Sequence, residues 1–462
     1  MTTIFAQATA AGQAGVAVFR LSGPAAGPAL QALTRRPLPP PRQAVRRDLW
    51  ASNGPDDLDA PISQARAANG HDLIDQALVL WFPAPASFTG EDVVELHIHG
   101  SKAVAAALAR ELTDSHHLHL AAPGEFTRRA FDHGKLDLTA VEGLADLIAA
   151  ETEAQRRQAM RQAGGALAKL YDGWREALLM ALARFEAAID FPEEDLPEDL
   201  IPRVNRVMEE TAEAIGDHLE DGHRGERLRD GLSIAILGAP NAGKSSLLNR
   251  LARREAAIVS SQAGTTRDVI ELHLDLGGYP VTLADTAGLR ETADAIEAEG
   301  VKRALARAES ADLKLLVLDA SMIGSDQPLI DASAAHLIDD DALLVVNKID
   351  LATKAPPPAI DGHEVLTVSA QTGAGIDALV EALATVAAVR LALGATPALT
   401  RERHRAALQS CAAALRRGLS ARLPELKAED LRHAVQALGE ITGRVDIEDV
   451  LDVIFREFCI GK

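Results

Sequence analysis

Three hydrophobic periodicities follow one another along the chain. Over roughly the first 120 residues, apolar side chains alternate with polar ones. In Ser87-Phe-Thr-Gly-Glu-Asp-Val-Val-Glu-Leu-His-Ile-His-Gly100, this puts Val94, Leu96 and Ile98 on one face of a strand and Glu95, His97 and His99 on the other. Gly15 to Gly23 and Gln76 to Phe82 read as further strands, and Leu38-Pro-Pro-Pro41 as a loop. From Pro123-Gly-Glu-Phe-Thr127 the period lengthens to about 3.6, as amphipathic helices require. Helices are predicted over Leu136–Ile148 and Leu167–Ile189 and, after the acidic break Phe191-Pro-Glu-Glu-Asp-Leu-Pro197, up to about Leu219. Short apolar runs then take over, each ending in a polar cluster, and after about residue 386 the helical period returns.

This succession predicts a multidomain α/β plus α chain: an α/β domain over 1–122, a helical domain over 123–226 and 387–462, and a Ras-like P-loop α/β module inserted between its halves over 227–386. Such insertion is tolerated because the termini of a domain often lie close together.

The polar clusters carry the chemistry. Ser233-Ile-Ala-Ile-Leu-Gly-Ala-Pro-Asn-Ala-Gly-Lys-Ser-Ser-Leu-Leu-Asn249 reads as strand, phosphate loop and helix. Gly238 and Gly243 let the backbone through Asn241 and Ala242 aim its N–H groups at a phosphate chain. Lys244 supplies charge for the β- and γ-phosphates, and the Ser245 hydroxyl, followed by Ser246, is placed to ligate magnesium. Asp285-Thr286-Ala287-Gly288 ends a second run, where its carboxylate could hold a magnesium-bound water and the Gly288 N–H could reach the γ-phosphate. Asn347-Lys348-Ile349-Asp350 ends a third, and an Asp there accepts two hydrogen bonds from guanine that adenine cannot offer. Ser369-Ala370 would complete the base pocket. Four such clusters in this order, at strand C-termini where α/β sheets bind ligands, imply a GTP site.

Composition narrows the class. The chain has 462 residues, 47% of them hydrophobic, and a net charge of −20. That charge excludes a protein gripping nucleic acid over its whole surface. The arginine groups (Arg35, Arg36, Arg42, Arg46, Arg47; Arg156, Arg157, Arg161; Arg401, Arg403, Arg405) are candidates for local RNA contact, but read first as solvated faces paired with neighbouring acids. Two cysteines, Cys411 and Cys459, fit a reducing compartment. No apolar run approaches the ~20 residues that span a bilayer, and the N-terminus lacks signal-peptide character. A cytoplasmic protein without membrane contact is expected. Glu95, His97 and His99 could form a zinc site, although no further ligand has suitable spacing, and His116-His117-Leu118-His119 is discounted in the same way.

With both ends of the chain considered, Phe19-Arg-Leu-Ser-Gly23, Ser87-Phe-Thr-Gly-Glu-Asp92, Pro123 to Phe131, Gly134-Lys-Leu-Asp-Leu138 and Cys459-Ile-Gly-Lys462 resemble the MnmE (TrmE) family of tRNA-modification GTPases over essentially the whole length. Ser101 departs from the family pattern, where a second glycine is expected after His99-Gly100. The resemblance implies a dimerising N-terminal domain that binds 5-formyltetrahydrofolate or a related folate through Arg20, Glu95, Lys135 and Lys462. It also implies a homodimer that works with a flavoprotein partner, MnmG, on the wobble uridine of tRNA, giving aminomethyl or carboxymethylaminomethyl groups at the 5-position. Cys459 is either a packing residue or a reactive thiol.

Leu289 stands where many GTPases carry a water-orienting Gln. The resemblance assigns that task to Glu297. It further implies a potassium ion held by Asn241 and by the loop Ser260-Ser261-Gln262-Ala263-Gly264-Thr265-Thr266. Within that loop Ser260, Gln262 and Thr265 are potassium ligands, and Thr266 completes the magnesium shell. The competing reading is a ribosome-assembly switch of the Era/EngA type, which usually appends an RNA-binding domain after its GTPase module. Here acidic and amphipathic helices follow instead.

Overall fold

A computed structural model of the chain describes residues 2–51, 73–190, 199–254, 256–258, 271–285, 309–323, 338–394 and 396–445, and beyond these 451, 454, 455, 458 and 461. They form two compact units, 1–145 with 442–462, and 146–441.

The first unit is built on a six-stranded sheet. In chain order its elements are β1 (Ile4–Gln7), β2 (Ala14–Ser22), α1 (Ala26–Thr34), β3 (Val45–Trp50), β4 (Leu73–Phe82), β5 (Val93–Gly100), α2 (Lys102–Asp114) and β6 (His119–Leu120), and the strand order is β3-β4-β5-β2-β1-β6. All neighbours pair antiparallel except β1 with β6. Period-two alternation sets the faces: Val94, Leu96 and Ile98 are buried, whereas Glu95 and His97 are half-buried and His99 is exposed. The buried set packs with Phe5, Phe19, Leu21, Trp81 and residues of α1 and α2, two helices that the alternation around them masked in the sequence. Ser101 caps α2, its hydroxyl accepting from the Val104 N–H at 3.2 Å. Its φ of −105° is extended backbone that needs no glycine.

Helices α3 (Glu125–Asp132) and α4 (Leu138–Ala149) follow. Leu138 and Val141 share a small core with Leu451, Ile454, Phe455 and Phe458, so the last residues of the chain pack in the same unit as the first.

In the second unit, α5 (Glu153–Ala163), α6 (Ala166–Asp190), α7 (Leu200–Leu219), α8 (Arg224–Asp230), α11 (Glu402–Ser420) and α12 (Pro424–Thr442) are the helices that flank a second sheet in sequence. Leu167, Tyr171, Leu178 and Phe185 of α6, Met208 and Ile215 of α7, Leu408 and Leu415 of α11 and Leu431 and Leu438 of α12 form one buried core. Cys411 belongs to it, and burial pushes its thiol pKa up to about 12, which makes it an inert packing residue.

The second sheet comprises β7 (Leu232–Leu237), β8 (Glu271–Leu276), β9 (Tyr279–Asp285), β10 (Leu313–Asp319), β11 (Ala342–Asn347), β12 (Ala359–Ile360) and β13 (His363–Thr367), with α9 (Lys244–Ala252) after β7 and α10 (Ile376–Leu391) after β13. Its order is β12-β13-β11-β10-β7-β9-β8, parallel apart from the pairs β8–β9 and β12–β13. The chain leaves β7 for β9 on one side and then places β10 on the other. The strand order therefore reverses at the C-terminal end of β7, where α/β sheets open a ligand crevice.

The arginine groups divide. Arg156 and Arg157 are exposed and pair with Glu153, as solvated faces do. Arg401, Arg403 and Arg405 depart from that reading. Arg401 pairs with Asp146 at 2.6 Å, and Arg403 donates to the Ile441 carbonyl at 3.1 Å. Arg405, 4% exposed, donates to Asp221, Glu226 and the carbonyl of Leu219. These guanidinium groups fasten the start of α11 and are not offered to a polyanion.

Candidate functional site

The crevice at the end of β7 is lined by a loop whose conformation only its residue types permit. Gly238 lies at φ +145°, and a Cβ there would stand 2.2 Å from the Val317 carbonyl of β10. Asn241 takes a left-handed φ of 65°, and Gly243, at φ 93°, precedes the first turn of α9. Lys244 is the first residue of that helix. It is 8% exposed, and its ammonium donates to the carbonyls of Gly238 (2.8 Å) and Ala239 (3.0 Å), arching over the loop. A buried ammonium held by neutral carbonyls is poised to exchange them for phosphate oxygens.

Asn347, at the end of β11, ties three predicted clusters together. Its side chain is buried; it donates to the Ala242 carbonyl at 2.9 Å and accepts from the Ala370 N–H at 3.0 Å. A Cβ on Gly243 would come within 2.3 Å of its Nδ2, so the glycine and the amide require each other. Ser369 donates to one oxygen of the otherwise exposed Asp350 and accepts from the Thr372 N–H at 3.1 Å, which orients the carboxylate expected to read the base. Lys348, at φ 64°, reaches the Asp319 carboxylate at 2.7 Å. Burial would raise the pKa of Asp319, but hydrogen bonds from Lys348 and Ser321 outweigh it and hold the acid below its usual value. Asp319 was not singled out in the sequence, although Leu313-Lys-Leu-Leu-Val-Leu-Asp319 repeats the pattern of an apolar strand ending in a polar residue.

Ser245 and Ser246 are exposed in the first turn of α9. The backbone of Asp285 closes β9 in register with Ile236 of β7. Thr286, Ala287 and Gly288, the loop Ser260, Ser261, Gln262, Ala263, Gly264, Thr265 and Thr266, and Glu297 lie outside the described residues, as do Cys459 and Lys462.

A second polar constellation stands on the sheet of the first unit. Arg20 and Glu95 face each other across β2 and β5 and form an ion pair at 2.9 Å, with the guanidinium 5.5 Å from the centre of the Phe88 ring and 6.0 Å from that of Phe126. Lys135 runs beside the Ser87–Asp92 loop: a Cβ on Gly90 would lie 3.3 Å from its Cε. Beneath the loop, Arg129 is 7% exposed and holds Glu91 at 3.0 Å and Glu125 at 2.9 Å, while Ser22 donates to Glu91 at 2.7 Å. His99 is engaged by Asp75 at 2.7 Å. Among the described residues, the histidine–carboxylate triple within metal-ligand reach is His223, Glu226 and Glu402, and none of the three is on β5.

Sheet order and phosphate loop define a P-loop nucleotide-binding protein joined to a helical bundle and an N-terminal α/β sheet. Family profiles agree across almost the whole chain: residues 3–135 match the N-terminus of the GTP-binding protein TrmE, and residues 138–459 match the MnmE helical domain. A tRNA modification GTPase MnmE from Paramagnetospirillum magneticum is 56% identical over 460 residues, covering 100% of this chain and 99% of the relative. The protein of that name from Rhodospirillum rubrum is 57% identical over 465 residues, with the same coverage. A solved structure of an Aquifex aeolicus Era variant bound to GDP.AlF4− is 26% identical, covering 41% of this chain and 68% of that one, at a TM-score of 0.27. The chain belongs to the MnmE family of tRNA modification GTPases, and it is a GTPase.

Proposed function

We propose that the chain is a potassium-dependent GTP hydrolase which, as a homodimer and with the flavoprotein MnmG, modifies the wobble uridine of tRNA at its 5-position with a one-carbon unit from a formyl-tetrahydrofolate. The observation that carries the GTP half of this reading is the Asn347 bridge. It ties the phosphate loop to the Ser369–Ala370 turn, whose Ser369 hydroxyl in turn holds the Asp350 carboxylate. The nucleotide module spans 227–386, between helical segments 123–226 and 387–462, and the folate domain spans 1–122.

Lys244 leaves the Gly238 and Ala239 carbonyls for the β/γ-phosphates, while Asp350 accepts from the guanine edge. The loop leaves Ser245 exposed beside the cradle, which suits a magnesium ligand, with Thr266 as the second. Asn241, at its left-handed turn, suits potassium together with Ser260, Gln262 and Thr265. The two cations supply positive charge to offset that developing on the phosphates. Glu297 orients the attacking water, since Leu289 cannot. A potassium site at that loop would be completed as two nucleotide modules pair, which would tie hydrolysis to dimerisation.

In the first unit the Arg20–Glu95 pair, flanked by Phe88 and Phe126, offers a cation for a glutamyl carboxylate, an acceptor for the donor edge of a pterin and rings to stack on it. Lys135 and Lys462 add charge. No helix among the described residues is long and apolar enough to cross a membrane.

Two experiments test this. Nucleoside analysis of tRNA from a deletion strain is expected to lack the modified wobble uridine, restored by the wild-type chain. Normal tRNA with accumulated ribosomal precursors would instead favour the ribosome-assembly switch. In vitro, Glu297→Ala is expected to keep nucleotide affinity and to lower the hydrolysis rate at least ~10²-fold, and sodium in place of potassium to slow the wild type. Equal rates in both salts would require an arginine finger instead.

A further inference from the structure

Two stretches of the first unit each bring a ring to Arg20: the loop between β4 and β5 carries Phe88, and α3 carries Phe126. Phe126 is fully buried in a small core with Ile4, Ala6 and Ala121, which fixes its ring. Phe88 is 36% exposed and stands on a loop, so its ring depends on whatever holds that loop.

The hold is at Glu91, three residues further on. Its side chain is 10% exposed, and Arg129 donates to both of its oxygens, at 3.0 and 3.3 Å. Ser22 donates to Glu91 at 2.7 Å and, with its own proton spent there, accepts from the Thr89 hydroxyl at 2.7 Å. Ser22 and Thr89 are fully buried, and Ser22 lies on β2, two residues from Arg20. Arg129 is anchored in turn, donating to Glu125 at 2.9 Å and to the Ser22 carbonyl at 3.4 Å. It follows Phe126 by three residues on α3, so one helix face supplies both the fixed ring and the guanidinium that grips the loop. Burying ions in this way returns little net stability, because desolvation offsets their attraction. What a planar guanidinium on a carboxylate adds is a fixed direction as well as a distance.

We propose that Arg129 is a positioning residue of the folate site: through Glu91 it locks the β4–β5 loop so that the Phe88 ring is preset to stack on a flat heteroaromatic pterin. The inference rests on the folate reading above and adds to it a residue that is 7% exposed and acts through the loop. A ring already in place has less freedom to lose when the ligand arrives, and that saving appears as affinity.

Calorimetric titration of the full chain with 5-formyltetrahydrofolate, run as a double-mutant cycle, tests this. Phe88→Ala removes the ring, and Arg129→Lys keeps the charge but loses the planar fork. Each is expected to weaken binding about tenfold. In the Phe88→Ala background, Arg129→Lys should cost less than about twofold, since the ring it positions is gone. Glu91→Gln, which keeps an acceptor for Ser22, should repeat the pattern and covers the case in which the lysine variant folds poorly. A purely structural Arg129 would lower the unfolding midpoint alike in both backgrounds, and its loss of affinity would multiply with that of Phe88→Ala. Losses that multiply, or an affinity unmoved by both Arg129→Lys and Glu91→Gln, would overturn the proposal. Arg20→Ala tells this failure from that of the folate reading: if it weakens binding while the other losses multiply, only the positioning role falls, whereas a wild-type chain that binds no folate removes both.

Discussion

A methyl group on Gly243 would meet two obstacles at once, a left-handed φ of 93° and the Asn347 amide 2.3 Å away. Relieving either shifts the bridge from Asn347 to Ala242, so Gly243→Ala is expected to weaken GTP binding more than tenfold in a fluorescent-nucleotide titration, given the roughly 1–3 kcal/mol typical of such backbone strain. Asp350→Asn replaces an acceptor oxygen by a donor facing guanine. It should lower GTP affinity more than tenfold and let xanthosine triphosphate gain, and an unchanged preference would remove Asp350 from base reading. These residues were legible because phosphate and guanine dictate both type and spacing. The Asn347 bridge and the Asp319–Lys348 pair were not. An Asn or Asp at a strand end is common, and only the fold reveals what it touches.

The long helices on either side of the nucleotide sheet were legible from their 3.6 period, unlike α1 and α2, but the ties between them were not. Arg401, Arg403 and Arg405 look alike in sequence, yet Arg405 meets acids 179 and 184 residues away and Arg401 meets one 255 residues away, beyond any local pattern. Arg405→Ala leaves Asp221 and Glu226 partly buried without their cation, which is expected to destabilise the second unit by about 3–5 kcal/mol in denaturant unfolding followed at Trp174. The same bundle should respond to acid through His218, which faces Asp221, Arg405, His404, Tyr171 and Trp174. Burial lowers its folded pKa below the usual 6.5, with Arg405 and His404 adding to the effect and Asp221 opposing it. Between the folded value and 6.5 the unfolded chain binds more protons, so this contribution to stability is complete above about 6.5 and declines as pH falls. His218→Gln should flatten the loss of unfolding midpoint between about pH 7 and 5.5, and an identical slope in both proteins would exclude His218 as its source.

On the scale of the whole molecule, helical periodicity announces which residues form helices but not which unit they join. Residues 125–145 pack in the first unit, whereas the helices from α5 to α8 belong to the second. Nor does the pattern show that the end of the chain returns to its beginning. It does so at close quarters: a Cβ on Gly461 would stand 2.6 Å from the Gln7 carbonyl, and one on Gly124 would stand 2.4 Å from that of Phe455. Leu451, Ile454, Phe455 and Phe458 are buried with Leu138 and Val141. Burying one large apolar side chain is worth about 1.5–3 kcal/mol, so the four together rival the roughly 5–15 kcal/mol by which a domain is typically stable. A chain ending at residue 444 is therefore expected to lose hydrogen-exchange protection in β2 and β5, and with it the folate affinity proposed for the first unit. Protection in β7, β10 and β11, whose core is made within the second unit, should persist together with GTP binding. If the truncated chain kept full protection in β2 and β5, the C-terminal residues would be an ornament on the first unit; if protection fell equally in both sheets, the two units would unfold as one.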